Sequence, residues 1–242
     1  TAMFLLNEIS EGVYYVGVND RTKALFEGLW PLPYGVSYNS YLIKDEKTAL
    51  IDTVDVCYSD LFLSKIADAL GDRKLDYLIV NHMEPDHSGS IRMLRMLYPD
   101  VQIVGNSKTF GMLDGFYGLK EGLFEVKEGS TLDLGRHKLM FTMAPMVHCP
   151  EVMFTYDTTD KILFSADAFG TYGALSGGVI DDEMNTDIFP EEMIRYYANI
   201  VGKYGSPVQK ALQKLPSIDV KMICSTHGPV WRSMIPEVVA TY

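Results

Sequence analysis

The stretch Asn81-His-Met-Glu-Pro-Asp-His-Ser-Gly89 carries a dense set of metal-ligand side chains on a single turn. The side chains that can bind a cation are His82, Glu84, Asp86 and His87. The turn directly follows the apolar run 78–80, which is typical of a buried strand. Without a cation the carboxylates would repel one another, so the pattern favours a metal site. A solvated acidic loop is the weaker alternative, because such a loop has no need of histidines.

Three further candidate ligands lie where strand-like segments end. His148 and His227 each follow an apolar run and enter a turn rich in Gly and Pro, and Asp167 follows the strand-like run 161–165. Residues just past a strand are held by a rigid scaffold and can be aimed at a common site. His137 differs, because it lies in a polar turn between two basic residues, and we interpret it as a surface residue.

Composition limits the function classes. With 242 residues, 47% of them apolar and 22% charged, the chain can bury a full core. The net charge of −11 argues against nucleic acid and anionic membranes as partners. The sequence contains no apolar run of membrane-spanning length and no secretory signal, so we predict a cytoplasmic protein. The odd set Cys57, Cys149 and Cys224 lacks CxxC spacing and predicts free thiols, with Cys149 interpreted as a buried structural thiol.

The order of predicted elements indicates one α/β domain over residues 1–242. A helix is predicted over Ser59–Leu70 with Ser59 as its cap, and another from Ser107 to Gly115. A flexible loop is predicted over 170–178. Further helices are predicted near 90–98, 191–203 and 207–215, and strands near 12–18, 37–44, 48–52, 77–80, 101–105, 124–126, 131–134, 138–143, 152–156, 162–165 and 220–225. Two such halves, with candidate ligands at strand ends, predict two facing sheets with helices outside and a shared site along one edge.

The ordered motif resembles the metallo-β-lactamase superfamily and, more narrowly, the diiron domain of flavodiiron proteins, which reduce dioxygen and nitric oxide. The resemblance covers essentially the whole chain and implies an αββα sandwich. Besides the opening stretch, it is carried by Gly35-Val-Ser-Tyr-Asn-Ser-Tyr-Leu-Ile43, Ala49-Leu-Ile-Asp-Thr53, Leu163-Phe-Ser-Ala-Asp-Ala-Phe-Gly170 and Thr226-His-Gly-Pro-Val-Trp231.

The resemblance implies two iron ions with a bridging oxo or hydroxo group. One iron would be bound by His82, Glu84 and His148, the other by Asp86, His87 and His227, with Asp167 bridging them. Glu84 discriminates between metals, because zinc hydrolases of the superfamily usually have histidine there, whereas a carboxylate favours iron. A dizinc hydrolase is the alternative.

Other positions depart from the family or lie behind the ligands. Tyr197 and Tyr172 are candidate hydrogen-bond donors near the metals, with core packing as the alternative role. The family commonly has Trp-Pro-Asp where this chain has Cys149-Pro-Glu151, and Gln-His where it has Thr171-Tyr172. Glu27 lies near the position of a family histidine. These changes touch proton delivery and the shape of the pocket.

The resemblance leaves two functions open for a diiron centre. The sequence has no recognisable FMN site, so the domain is expected either to bind dioxygen as a sensing module or to reduce dioxygen or nitric oxide with electrons from a separate protein. That donor would be of the flavodoxin or rubredoxin type, and a sensing module would need a signalling partner. A homodimer is also expected from the family.

Overall fold

Two β-sheets form the centre of the molecule. The computed structural model describes residues 3–242, so the first two residues of the predicted domain lie outside it. The strands, in chain order, are β1 (Asn7–Ser10), β2 (Val13–Tyr15), β3 (Val18–Asp20), β4 (Leu25–Phe26), β5 (Trp30–Pro31), β6 (Val36–Tyr38), β7 (Tyr41–Ile43), β8 (Ala49–Ile51), β9 (Tyr77–Ile79), β10 (Gln102–Gly105), β11 (Leu123–Glu125), β12 (Thr131–Asp133), β13 (Lys138–Met143), β14 (Met153–Asp157), β15 (Ile162–Phe164) and β16 (Met222–Cys224).

Each half of the chain supplies one sheet. The first has seven strands in the order β1-β2-β7-β8-β9-β10-β11, antiparallel as far as β8 and parallel from β8 to β11. The second has five strands in the order β12-β13-β14-β15-β16, antiparallel except for the last pair. Strands β7, β8, β14, β15 and β16 are buried along their whole length, as expected of strands covered on both faces.

The two sheets pack directly against each other. The ring of Tyr41 in β7 meets that of Phe164 in β15 with centroids 5.5 Å apart, and the Tyr41 hydroxyl donates to the Ser225 carbonyl at 2.7 Å. The backbone of Met153 donates to the Asn81 carbonyl at 3.1 Å. The predicted α/β class and αββα sandwich are confirmed, and their edge is where the metal-ligand turn begins.

Helices flank the sheets. They are α1 (Ser59–Leu70), α2 (Pro85–Ser88), α3 (Ile91–Leu97), α4 (Ser107–Tyr117), α5 (Phe189–Tyr196), α6 (Gly205–Leu212) and α7 (Ile235–Thr241). A π-helical turn over Tyr197–Val201 and a 3-10 turn over Gly202–Tyr204 join α5 to α6. Short 3-10 turns also cover Val56–Tyr58, Asp181–Glu183 and Leu215–Ser217. Within residues 3–242, none of the helices combines the length and apolarity needed to cross a membrane.

Helix α1 has the predicted bounds but begins differently. Asp55 accepts from the Cys57 backbone at 2.9 Å and starts the 3-10 turn that leads into α1, whereas Ser59 contacts Ser90 through its hydroxyl. The predicted Ser59 cap is therefore wrong, because an earlier carboxylate already caps the turn. The buried face includes Phe62, Ile66 and Ala69, as predicted, while Leu61 is exposed.

Two other local predictions need correction or comment. Helix α4 passes through Gly115 and ends at Gly118, which takes φ +66°, because the left-handed residue, not the first glycine, ends the helix. The segment 170–178, predicted to be a flexible loop, is irregular but bonded to the rest of the chain. Gly173 and Ala174 donate to the carbonyls of Gly35 and Tyr34 at 2.9 and 2.8 Å.

Candidate metal centre

The turn after β9 is fixed from behind by Asp52. Its carboxylate accepts from the backbone of Asn81 at 2.9 Å and of His82 at 3.3 Å. Thr53 then donates to the carbonyl of His87 at 2.7 Å. Pro85 begins the single turn of α2, where its missing N–H costs nothing. The ligand-bearing turn is thus held by buried contacts.

The first position, defined by His82, Glu84 and His148, has its ligand atoms within contact distance. The Nε2 atoms of His82 and His148 each lie 3.1 Å from Oε2 of Glu84. Oδ2 of Asp167 lies 3.1 Å from the first nitrogen and 2.9 Å from the second.

The second position is defined by Asp86, His87 and His227. The Nε2 atoms of the two histidines are 3.0 Å apart, and Oδ2 of Asp86 lies 3.3 and 3.2 Å from them. Oδ1 of Asp167 lies 3.1 Å from the His87 nitrogen and 3.6 Å from that of His227. Asp167 therefore turns one oxygen to each position. The structure brings together all seven predicted ligands, in the two predicted groups.

The donor set fits bound cations. Both carboxylate oxygens of Asp86 are buried and have no hydrogen-bond partner among residues 3–242. A cation about 2.1 Å from each ligand atom would separate neighbouring ligands by about 3.0 Å, the spacing seen here. Buried carboxylates without partners are costly, and a cation removes that cost. The His/Asp/Glu clusters fit metal binding.

The outer nitrogens of the histidines have different partners. His82 Nδ1 lies 2.8 Å from Oε1 of Glu151, and His227 Nδ1 lies 2.7 Å from the carbonyl oxygen of Ser37. In both cases the acceptor keeps the proton on Nδ1 and leaves Nε2 free to bind a metal. Cys149 Sγ lies 3.7 Å from His148 Nδ1, so the half-buried thiol lies behind the first position. Cys57, Cys149 and Cys224 are all free, as predicted.

Without metal, the site's histidines hold protons. Burial opposes charge on His87, but Asp86 and Asp167 raise the pKa of this imidazole to about 9. Burial also opposes charge on His148, but hydrogen bonds from Asp167 and other neighbours raise its pKa to about 12. The pKa of Asp167 lies well below its usual range despite burial, because His82 and His87 stabilise the carboxylate. A cation must displace these protons, so metal binding weakens as pH falls.

The centre opens on one side only. The side chains of Glu84 and Asp86 are 22% and 12% exposed, whereas those of His82, His87 and His227 are fully buried. Glu27 lies beside this opening, in the β4–β5 hairpin. Burial and the neighbouring Glu84 carboxylate raise the pKa of Glu27 to about 7.

Tyr196, rather than Tyr197, lies beside the ligands. Its ring centroid is 5.6 Å from that of His227, and its buried hydroxyl has no hydrogen-bond partner in the described chain. Burial, followed by the charge of Asp167, raises the pKa of Tyr196 well above its usual range. Tyr197 packs instead against Tyr242, with centroids 4.8 Å apart. The prediction is corrected by one residue, because neighbouring helical side chains point about 100° apart.

Tyr172 lies one layer further from the metals. Its hydroxyl accepts from Asn199 at 3.3 Å, and its ring packs against Tyr196 with centroids 5.2 Å apart. It supports Tyr196 through packing, and a donor role for Tyr172 stays a prediction.

His137 is buried, so its interpretation as a surface residue is wrong. Its ring lies 2.7 Å from Asp157 and 2.7 Å from the carbonyl oxygen of Glu11. The basic neighbours are on the surface, but they do not determine where the ring points, because side chains alternate at a strand end. Glu151 was predicted only as a departure from the family, and Tyr196 was missed. An acidic residue three positions after His148 was the available signal for Glu151.

The comparisons agree with this geometry. The sequence model described as "ODP family beta lactamase" matches residues 36–228. A nitric oxide reductase of Moorella thermoacetica is 34% identical over 238 residues, which are 97% of this chain and 59% of the relative. The flavodiiron protein from Giardia intestinalis superposes with a TM-score of 0.93 at 33% identity, covering 98% of this chain and 58% of that one.

A second solved structure gives the same result. Rubredoxin oxygen:oxidoreductase from the anaerobe Desulfovibrio gigas has a TM-score of 0.93 at 32% identity, covering 98% of this chain and 60% of that one. The chain therefore spans about three fifths of the length of these relatives. With a match over most of its length and a shared fold, the chain belongs to the ODP family of metallo-β-lactamase-type domains, the domain that it shares with the flavodiiron proteins.

Proposed function

We propose that this domain binds two iron ions and reduces dioxygen or nitric oxide with electrons from a separate protein. The observation that carries the proposal is the sharing of Asp167 between two sets of three ligands, with the oxygens of that carboxylate 2.9 Å from His148 and 3.1 Å from His87. A shared carboxylate holds two cations close enough to act on one small molecule.

The choice of iron rests on the ligand chemistry. Glu84 and Asp86 give each position a carboxylate besides its histidines, and Asp167 adds a third. Such a mixed oxygen and nitrogen set suits iron better than the nitrogen-rich sets of zinc hydrolases. Two ferrous ions, three carboxylates and one hydroxide would sum to zero charge, which a buried site tolerates.

Bound iron would supply the open coordination positions and the electrons that the gas molecule requires. The chain's own residues orient that site and control protons. Glu151 and Ser37 hold His82 and His227 with Nε2 toward the metals. The buried Tyr196 hydroxyl, which lacks a partner within residues 3–242, is available to donate a hydrogen bond or a proton to a bound gas.

Electrons and gas would enter where Glu84 and Asp86 reach the surface. Two of the relatives named above support the reaction class: one is called a nitric oxide reductase, the other a rubredoxin oxygen:oxidoreductase. We expect a flavodoxin- or rubredoxin-type donor to approach this opening and a homodimer to border it. A cytoplasmic location stays a prediction, for which the free thiols give support.

The test is anaerobic iron loading followed by gas consumption. We expect two irons per chain, a carboxylate-bridged diiron signal in Mössbauer spectra, and sustained consumption of dioxygen or nitric oxide once a reduced flavodoxin or rubredoxin is added. Omitting the donor should limit consumption to a single turnover.

Two results would redirect the proposal. A gas adduct that persists for minutes and never turns over with any reduced donor would favour a binding or sensing module. Two zinc ions per chain after native purification, with cleavage of a β-lactam or thioester, would favour the hydrolase.

A further inference from the structure

The two metal positions differ in what stands behind their histidines. At the first position, His82 faces the carboxylate of Glu151; at the second, His227 faces the neutral carbonyl of Ser37. The other histidine of the second position, His87, has a buried Nδ1 with no partner in the part of the chain that the structure describes. The difference is thus one of charge as well as of contact.

Glu151 is rigidly held. Its Oε1 accepts from His82 Nδ1 and from the backbone of Met83, both at 2.8 Å. Its own carbonyl accepts from Asn106 at 2.7 Å, and Asn106 in turn caps helix α4 through Thr109 at 3.0 Å. The residue is 1% exposed. Because one oxygen receives two N–H donors, the carboxylate fixes the Nδ1–H form of His82.

Charge around the two positions is therefore unequal. The first has Glu84 as a ligand and Glu151 behind it, whereas the second has Asp86 alone, and Asp167 is shared. A carboxylate behind a ligand histidine makes the imidazole a stronger donor, and loss of such a partner typically lowers metal affinity about 10–100-fold.

We propose that Glu151 is a positioning residue that makes the first position the tighter metal site, so that the two positions fill in order. This inference rests on the proposed function only in requiring a two-metal centre. It does not depend on iron or on gas reduction, because any divalent cation that prefers nitrogen and oxygen ligands would meet the same asymmetry.

The test uses Glu151→Gln, which keeps an acceptor oxygen for His82 and Met83 but removes the charge. Metal-free protein is titrated anaerobically with cobalt(II), whose absorption reports binding. Two backgrounds separate the positions: His227→Ala removes a ligand of the second, and His148→Ala a ligand of the first. Glu192→Gln is the matched control, since Glu192 is also buried but pairs with Arg195 at 2.7 Å.

We expect Glu151→Gln to weaken cobalt binding about 10–100-fold in the His227→Ala background and to leave it unchanged in the His148→Ala background. Glu192→Gln should have no effect in either. In the otherwise unmodified chain, the first equivalent of cobalt should give hyperfine-shifted Nδ1–H proton resonances from the first position, and the His82 resonance should move in Glu151→Gln. A purely structural role would weaken both positions equally and leave that resonance in place.

Equal loss at both positions, or an effect confined to the second, would overturn the inference. If either single-position variant fails to fold, the two-step cobalt titration of Glu151→Gln against the unmodified chain decides: the gap between the two affinities must shrink. Ordered cobalt loading in a protein that neither retains iron nor consumes gas would refute the proposed function and leave this inference intact. An active diiron protein with equal affinities would do the reverse.

Discussion

Asn39 fixes Gly228, the residue that follows His227: its side-chain amide donates to the Gly228 carbonyl oxygen at 2.8 Å. The same amide donates to the Ser225 carbonyl at 2.9 Å, so both sides of the His227 loop are held by one side chain from the other sheet. The amide oxygen accepts from Tyr15 at 2.8 Å. The second metal position therefore depends on a residue that touches no metal.

Replacing Asn39 with alanine should destabilise the fold and loosen the second position. Buried carbonyls would lose their donors, which costs about 3 kcal/mol in the free energy of unfolding. Urea unfolding of the metal-free protein measures this, and metal analysis should give close to one ion per chain. Asn199→Ala, at a half-buried amide bonded only to Tyr172 at 3.3 Å, is the control and should change little. Unchanged stability in Asn39→Ala would contradict the clamp.

Asp167→Ala should remove the shared carboxylate and leave at most one metal ion per chain. The loss affects both positions, since each receives one oxygen of Asp167 at 3.1 Å or less. Metal content by mass spectrometry after anaerobic loading is the measurement. Asp60→Ala, on the exposed side of α1, is the matched control. Retention of two irons would count against the bridge.

Glu84→His should shift metal preference toward zinc. The change converts the first position to a nitrogen-rich set, which suits zinc better than iron. The protein would be refolded or loaded with equal iron and zinc under anaerobic conditions and its metal content compared with that of the unmodified chain. An unchanged share of iron would remove the selectivity argument for Glu84.

Tyr196→Phe should slow gas reduction without loss of metal. If its hydroxyl donates a proton, turnover should fall about 100-fold, while stability should hold, because the hydroxyl has no partner among the described residues. Tyr197→Phe is the matched control on the neighbouring residue. Equal turnover in the two variants would exclude Tyr196 from proton delivery.

His137 predicts a pH dependence of stability away from the metals. Burial opposes its charge, but the Asp157 hydrogen bond raises the pKa of the ring in the folded state. The unfolded value is about 6.5. The stabilisation is therefore complete below about pH 6.5 and is lost as pH rises through the higher folded-state pKa. The free-energy difference between the unmodified chain and His137→Gln should shrink over that window, and a difference that grew with pH would reverse the assignment.

The fold and the ligand set were predictable because each depends on local pattern. The helix Ser59–Leu70 has a continuous amphipathic period, and the turn 81–89 gathers four ligands on adjacent residues. The residues behind the ligands were not predictable in the same way. Tyr196 and Tyr197 have equal chemistry, and only the orientation of α5 distinguishes them. His137 shows the same limit, since burial is set by the partner sheet.

Asp167 also makes the metal count a report on the whole chain. It comes from the second sheet, yet its two oxygens contact histidines from both halves, so neither half alone can offer a complete set of donors. Full occupancy thus requires every loop to have reached its native partner. In a purified batch, ions per polypeptide serve as a measure of correctly assembled molecules, obtainable without any knowledge of the physiological electron source.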